Sequence, residues 1–170
     1  MRRLSDRLAE DVVRDFSPRV AASILFSLGR LRWKDEPVFE KLSQAMIDQA
    51  VAYAKQREQF NRPIASFQAV KHMCAEMTAS LEPCRAMVWF AAHALADLPD
   101  EARVTACHTK AHLAEVGKFV AKTATEVHGG MGFTDLLGLH YWFKRCGSNR
   151  QWLGAPELVR EEAAQLQGLA

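Results

Sequence analysis

The strongest constraint in this sequence is an apolar stripe near its centre. Val70, Met73, Met77, Leu81, Cys84, Val88, Ala91 and Leu95 follow one another at three- and four-residue steps. That spacing lines one face of an α-helix, because a turn takes 3.6 residues. A strand alternates its faces every second residue and cannot gather these side chains on one side. The stripe predicts a helix from about Phe67 to Asp97. An element that long must bury its stripe against other elements of matching period, which sets the class of what surrounds it. Pro83 falls inside it and predicts a kink, since proline has no N–H to donate and its ring crowds the preceding turn.

The same period recurs on both sides. Phe39, Leu42, Met46, Ala50 and Tyr53 predict a helix from Val38 to about Glu58, broken by Asn61, Arg62 and Pro63. Pro99-Asp100 reads as a turn, with Asp100 capping a third helix from Glu101 to His128. Val104, Cys107, Ala111, Ala114, Phe119 and Val127 face inward on it, and Gly129-Gly130 stops it. Shorter helices are expected from Leu137 to Arg145 and from Pro156 to Leu166. Residues 4–29 predict one more, ending at Gly29, and residues 30–37 a charged connection. Long helices joined by short turns imply an all-α, up-down four-helix bundle. Residues 1–37 are then a weakly defined N-terminal helical segment supplying the fourth member, and residues 38–170 the main body. Phe60 and Phe67 are expected in the core.

Composition narrows the function. With 49% hydrophobic and 25% charged residues the chain has the means to build a core. The net charge of +2 is too small, and the basic residues too scattered, for a nucleic-acid surface. No charge-free apolar run is long enough to cross a membrane, and the Arg-rich start carries Asp6, Glu10, Asp11 and Asp15, unlike a transit or signal peptide. Cys74, Cys84, Cys107 and Cys146 are widely spaced with no C-x-x-C pair, which fits reduced thiols and a cytoplasmic setting, the first three packed as small hydrophobes.

Two motifs carry a resemblance. Ala52-Tyr53-Ala54-Lys55-Gln56-Arg57-Glu58-Gln59-Phe60, followed by Pro63-Ile64 and Phe67-Gln68, resembles the acyl-CoA dehydrogenase pattern YAxxRxQFGxPIxxFQ. Glu126-Val127-His128-Gly129-Gly130-Met131-Gly132-Phe133 is similar to that family's glycine-rich turn. They stand in the family's order, across a helix pair of the right length. The resemblance covers about Met46 to Arg145 and implies the C-terminal helical domain of a flavoprotein that removes hydrogens from the α and β carbons of an acyl-CoA. It implies that Arg57 binds the pyrophosphate of flavin adenine dinucleotide (FAD), a role suited to a planar, permanently charged guanidinium. It places Gln68 beside Arg57, and the turn from Glu126 through Gly129, Gly130 and Gly132 at the adenosine half of a flavin held mainly by a neighbouring subunit. A homo-oligomer, or a hetero-oligomer with a full-length dehydrogenase subunit, is therefore expected.

The pattern also fails in places. Asn61 stands where the family has glycine. The family's catalytic glutamate would fall within Leu153-Gly154-Ala155, which has no acid. Asp15-Phe16-Ser17-Pro18-Arg19 is only a loose echo of the stretch that carries the base in other members. Glu157 lies close by, but an acid at the start of a helix is a favourable dipole partner rather than a base. An N-terminal helical domain and a central β domain, which complete such enzymes, have no counterpart in these residues. The expectation is a truncated or subunit form, active only as part of a complex. The alternative is a non-catalytic dimerisation or interaction module. His108, His112 and Glu115 share a helical face, yet no second motif completes a metal site, and none is expected.

Overall fold

The computed structural model of the protein describes residues 38–152 and 154–169. The expected first helix, the connection before Val38 and the Asp15 to Arg19 echo lie outside the described residues, as do the side chains of Phe39 and Leu42. The described fold is all-α. In chain order it comprises α1 (Val38–Gln56), a hairpin of β1 (Glu58–Gln59) and β2 (Arg62–Pro63), a 3-10 turn (Ile64–Ser66), α2 (Gln68–Asp97), α3 (Pro99–His128), a second 3-10 turn (Gly129–Phe133), α4 (Leu139–Gln151) and α5 (Pro156–Leu166).

One residue, Leu98, separates α2 from α3, and a link that short makes consecutive helices run antiparallel. Leu98 closes α2 by donating its N–H to Ala94, and its carbonyl accepts from Glu101 and Ala102. Helix α3 therefore starts at Pro99 rather than Glu101. Proline at the first helical position loses nothing, because its missing N–H has no partner there anyway. Asp100 is a first-turn acid facing the positive helix end, not the cap. Helix α4 runs on to Gln151, past the expected end at Arg145.

The chain packs as two compact units. The first holds Val38–Pro83 and Glu115–Asn149. Its core includes Met46, Ala50, Met77, Val120, Ala124 and Leu139. Small alanines among these allow close helix approach, while Met46 and Met77 fill the gaps. The second holds Cys84–Ala114 and the residues from Arg150 onward. There Ala106, Cys107 and Ala111 of α3 meet Val159 and Ala163 of α5, with Leu95 of α2 against them. Arg103 adds a polar tie, donating from Nε and Nη2 to one oxygen of Glu162 at 2.9 and 2.6 Å. Burial pushes the Cys84 and Cys107 thiols up to about 11, so both stay protonated and inert, as small core residues should. Cys74 is only partly buried.

Phe60 departs from expectation. It is 86% exposed rather than in the core. The cause is local: helix α1 stops at Gln56, and Phe60 and Asn61 become the two central residues of the hairpin, with φ of +54° and +61°. Positive φ at both central positions is the type I′ form of a two-residue hairpin, and it points the Phe60 side chain outward. Phe67 is half-buried, with its ring edge-on to Phe60 at 6.0 Å and the Arg62 guanidinium 4.1 Å above it.

Candidate functional site

Both motifs lie in the first unit, and Tyr53 joins them. Its carbonyl accepts the N–H of Arg57 at 2.8 Å. Its ring lies 4.5 Å from that of His128, the residue before Gly129. A second tie between α1 and the loop beyond the glycine turn is Gln49, which donates to the Leu137 carbonyl at 3.0 Å.

Around Arg57 the backbone is fixed and the side chain exposed. The Arg57 carbonyl accepts from Ile64 at 2.8 Å, so the hairpin folds back on the end of α1. Gln68 opens α2 a few residues later, exposed, with its amide nitrogen 3.0 Å from His72 Nε2. Lys55, Arg57, Arg62 and Lys71 are all exposed on this stretch. They lie along the segment that leads from the end of α1 into a 30-residue helix whose first turn has no acid. Cations and unpaired helix N–H groups together favour an anion.

The glycine turn has the opposite polarity. It follows the C-terminus of α3, the negative end of that helix's dipole. Glu126 on the last turn adds a carboxylate, half exposed and 3.5 Å from Lys122. Such a surface repels phosphate and suits groups that donate hydrogen bonds, such as hydroxyls and amines. Gly129, at φ +57°, supplies the left-handed residue that ends the helix. At Gly129 and Gly130 a Cβ would meet nothing, so the backbone there is open to a ligand. Gly132 differs: a Cβ would stand 2.7 Å from the Thr125 carbonyl oxygen. Its missing side chain is used up by the packing of the turn on its own helix.

Near the position of the missing acid, Glu157 accepts from Arg150 at 2.5 Å. Its own backbone N–H, then Arg150, hold its carboxyl below the usual range. A carboxylate so engaged is a poor proton acceptor, which agrees with its reading as a dipole partner. Among the described residues no group of three or more His, Cys, Asp or Glu side chains is placed to hold a metal ion. His108 and His112 are exposed, and Gln167 lies 3.3 Å from His108. No described helix is long and apolar enough to cross a membrane.

Two residues that join the site went unassigned in sequence reasoning. Tyr53 and His128 both sit inside the quoted motifs, but their meeting needs α1 beside the end of α3, which no local pattern encodes.

Comparison with known proteins bears on the family and the fold. Residues 41–166 match the family model for the acyl-CoA dehydrogenase C-terminal domain. A 3-(aryl)acrylate reductase from Clostridium sporogenes is 40% identical over 92 residues, 54% of this chain and 24% of that protein. Acyl-CoA dehydrogenase IpdE2 from Mycolicibacterium smegmatis is 34% identical over 121 residues, 71% of this chain and 36% of the relative. The chain thus spans about a quarter to a third of these curated relatives. Among solved structures, an FAD complex of PigA superimposes with a TM-score of 0.75 at 25% identity, covering 88% of this chain and 38% of that one.

Proposed function

This chain belongs to the acyl-CoA dehydrogenase family through its C-terminal helical domain, and from that premise we propose that it supplies FAD contacts and an oligomer interface to the α,β-dehydrogenation of an acyl-CoA. The observation that carries this reading is Tyr53, which ties a cationic surface and an open glycine backbone to one helix end. A dinucleotide needs that pairing, because its pyrophosphate is anionic whereas its adenosine offers hydroxyl and amino donors. Arg57 holds the pyrophosphate by a forked contact, with Gln68 beside it at the start of α2. Glu126 and the open backbone of Gly129 and Gly130 receive the adenosine end, and Gly132 keeps the turn tight beneath it. Bound flavin would supply the hydride acceptor, while this chain's residues bind and orient it.

An oligomer follows from the same family and from the first unit's surface, where Phe133, Leu136 and Tyr141 are 75%, 81% and 59% exposed. The partner is a second copy or a full-length dehydrogenase subunit, which also holds the acyl-CoA, and the setting is cytoplasmic. The test is the flavin content of protein purified with its partner subunit. Arg57→Ala should lose the flavin absorbance band while keeping the helical circular dichroism signal. Full flavin retention in that variant would remove the basis of the assignment.

A second reading has its own support: no acid stands at positions 153–155, and Glu157 is engaged with Arg150. The domain then acts as a dimerisation module without chemistry. A colourless, well-folded oligomer that stays colourless with added FAD selects this reading over the first.

A further inference from the structure

The glycine turn hangs from one buried ring. His128 is the last residue of α3 and is 2% exposed. Its Nδ1 lies 2.7 Å from the carbonyl oxygen of Ala124. A carbonyl only accepts, so Nδ1 carries the proton and Nε2 is a bare lone pair. That Nε2 is buried without a hydrogen-bond partner among the described residues. On one side the ring meets Tyr53 of α1. On the other, its Cβ lies 3.2 Å from where a Cβ on Gly132 would stand. The ring thus packs on α1 while the Cβ of the same residue lies against the turn that follows it.

We propose that neutral His128 positions the open backbone of Gly129 and Gly130, and that a proton on its Nε2 loosens the turn. A second proton would place a buried N–H with no acceptor on a cation, a costly arrangement. Among the described residues the neighbouring groups do not relieve it. Tyr53 is the ionisable side chain that reaches the ring from α1, and the turn from Gly129 to Phe133 carries none. On α3 the nearest charges, Lys122 and Glu126, are exposed and paired with each other. The negative end of α3 favours a cation here, but burial outweighs it and pushes the imidazole below its ordinary value, with the Ala124 bond opposing more weakly. The folded state therefore prefers the neutral ring. That contribution is complete above about pH 6.5, the ordinary histidine value, and is lost as pH falls below it. The consequence for an adenosine-type ligand rests on the reading above; the response of the turn itself does not.

The experiment is amide hydrogen exchange of residues 129–133 in the flavin-free protein from about pH 8 to about pH 5, corrected for intrinsic rates. Alongside it, the ¹⁵N shifts of the His128 ring report its tautomer and titration. The expected result is protection that falls with acidification, following the ring's own titration. His128→Phe keeps a ring against Tyr53 and should give a flat profile. Should that variant fail to fold, His128→Asn carries the comparison, since its amide can donate to Ala124 and does not titrate. A flat profile in the unaltered protein, or the same slope in a folded variant, overturns the proposal. Flavin binding at the upper pH is measured separately. Its absence there counts against the FAD reading and leaves the exchange result to judge His128.

Discussion

Asn61 shows how one side chain can hold an unusual backbone. At φ +61° most residues crowd their own carbonyl, and asparagine is among the few that tolerate the position. It stands where the family has glycine, the other residue suited to a positive φ. Asn61→Gly should leave stability nearly unchanged, whereas Asn61→Val should cost about 1 kcal/mol in thermal denaturation. Equal melting of the two variants would mean the turn is not held as described. Gly132 is a different case, limited by space. Its φ is not in the left-handed region, but an added Cβ would overlap the Thr125 carbonyl. Gly132→Ala should therefore destabilise by about 1–3 kcal/mol, against about 1 kcal/mol for Gly129→Ala, where only the backbone sign matters. The two glycines look identical in the sequence; what surrounds each in space separates them, and a sequence cannot report that.

At the scale of elements, periodicity was a sufficient guide. Met77, Leu81 and Cys84 of the α2 stripe are buried, and Cys107, Ala111 and Val127 of α3 likewise face inward. Helix ends were less legible, because they depend on local competitions: Pro99 starts α3 early, and the Phe60-Asn61 hairpin stops α1 early. Pro83 remains inside α2 and leaves one carbonyl a turn earlier without its helix donor. Pro83→Ala should raise stability by about 1–3 kcal/mol in chemical denaturation. A loss of stability would mean that the proline's shape is needed where it stands. The Arg103–Glu162 pair ties α3 to α5 with side chains 35% and 24% exposed. Water screens it in part, so Arg103→Ala should cost about 1–2 kcal/mol, less than a fully buried pair. Once Glu162→Ala is in place, adding Arg103→Ala should change little, if the pair acts as a unit.

For the whole molecule, the question is what covers the apolar surface of the first unit. Phe133, Leu136 and Tyr141 stay in water in a single chain, which is costly for side chains of that size. Light scattering should therefore give a mass above that of one chain, and Phe133→Asp with Leu136→Asp should lower it while helicity is kept. A monomer at every concentration would remove the homo-oligomer from the proposal and leave the partner subunit. The sequence by itself determined the all-α class, the main helices and the family. These follow from local spacing and residue chemistry, which act within a few turns of the chain. Only the tertiary structure decided that Phe60 points to solvent, that Gly132 is a packing residue, and that the rings of Tyr53 and His128 meet. Those facts depend on residues such as Tyr53 and His128, far apart in sequence, meeting in space, and no periodicity along the chain records such a meeting.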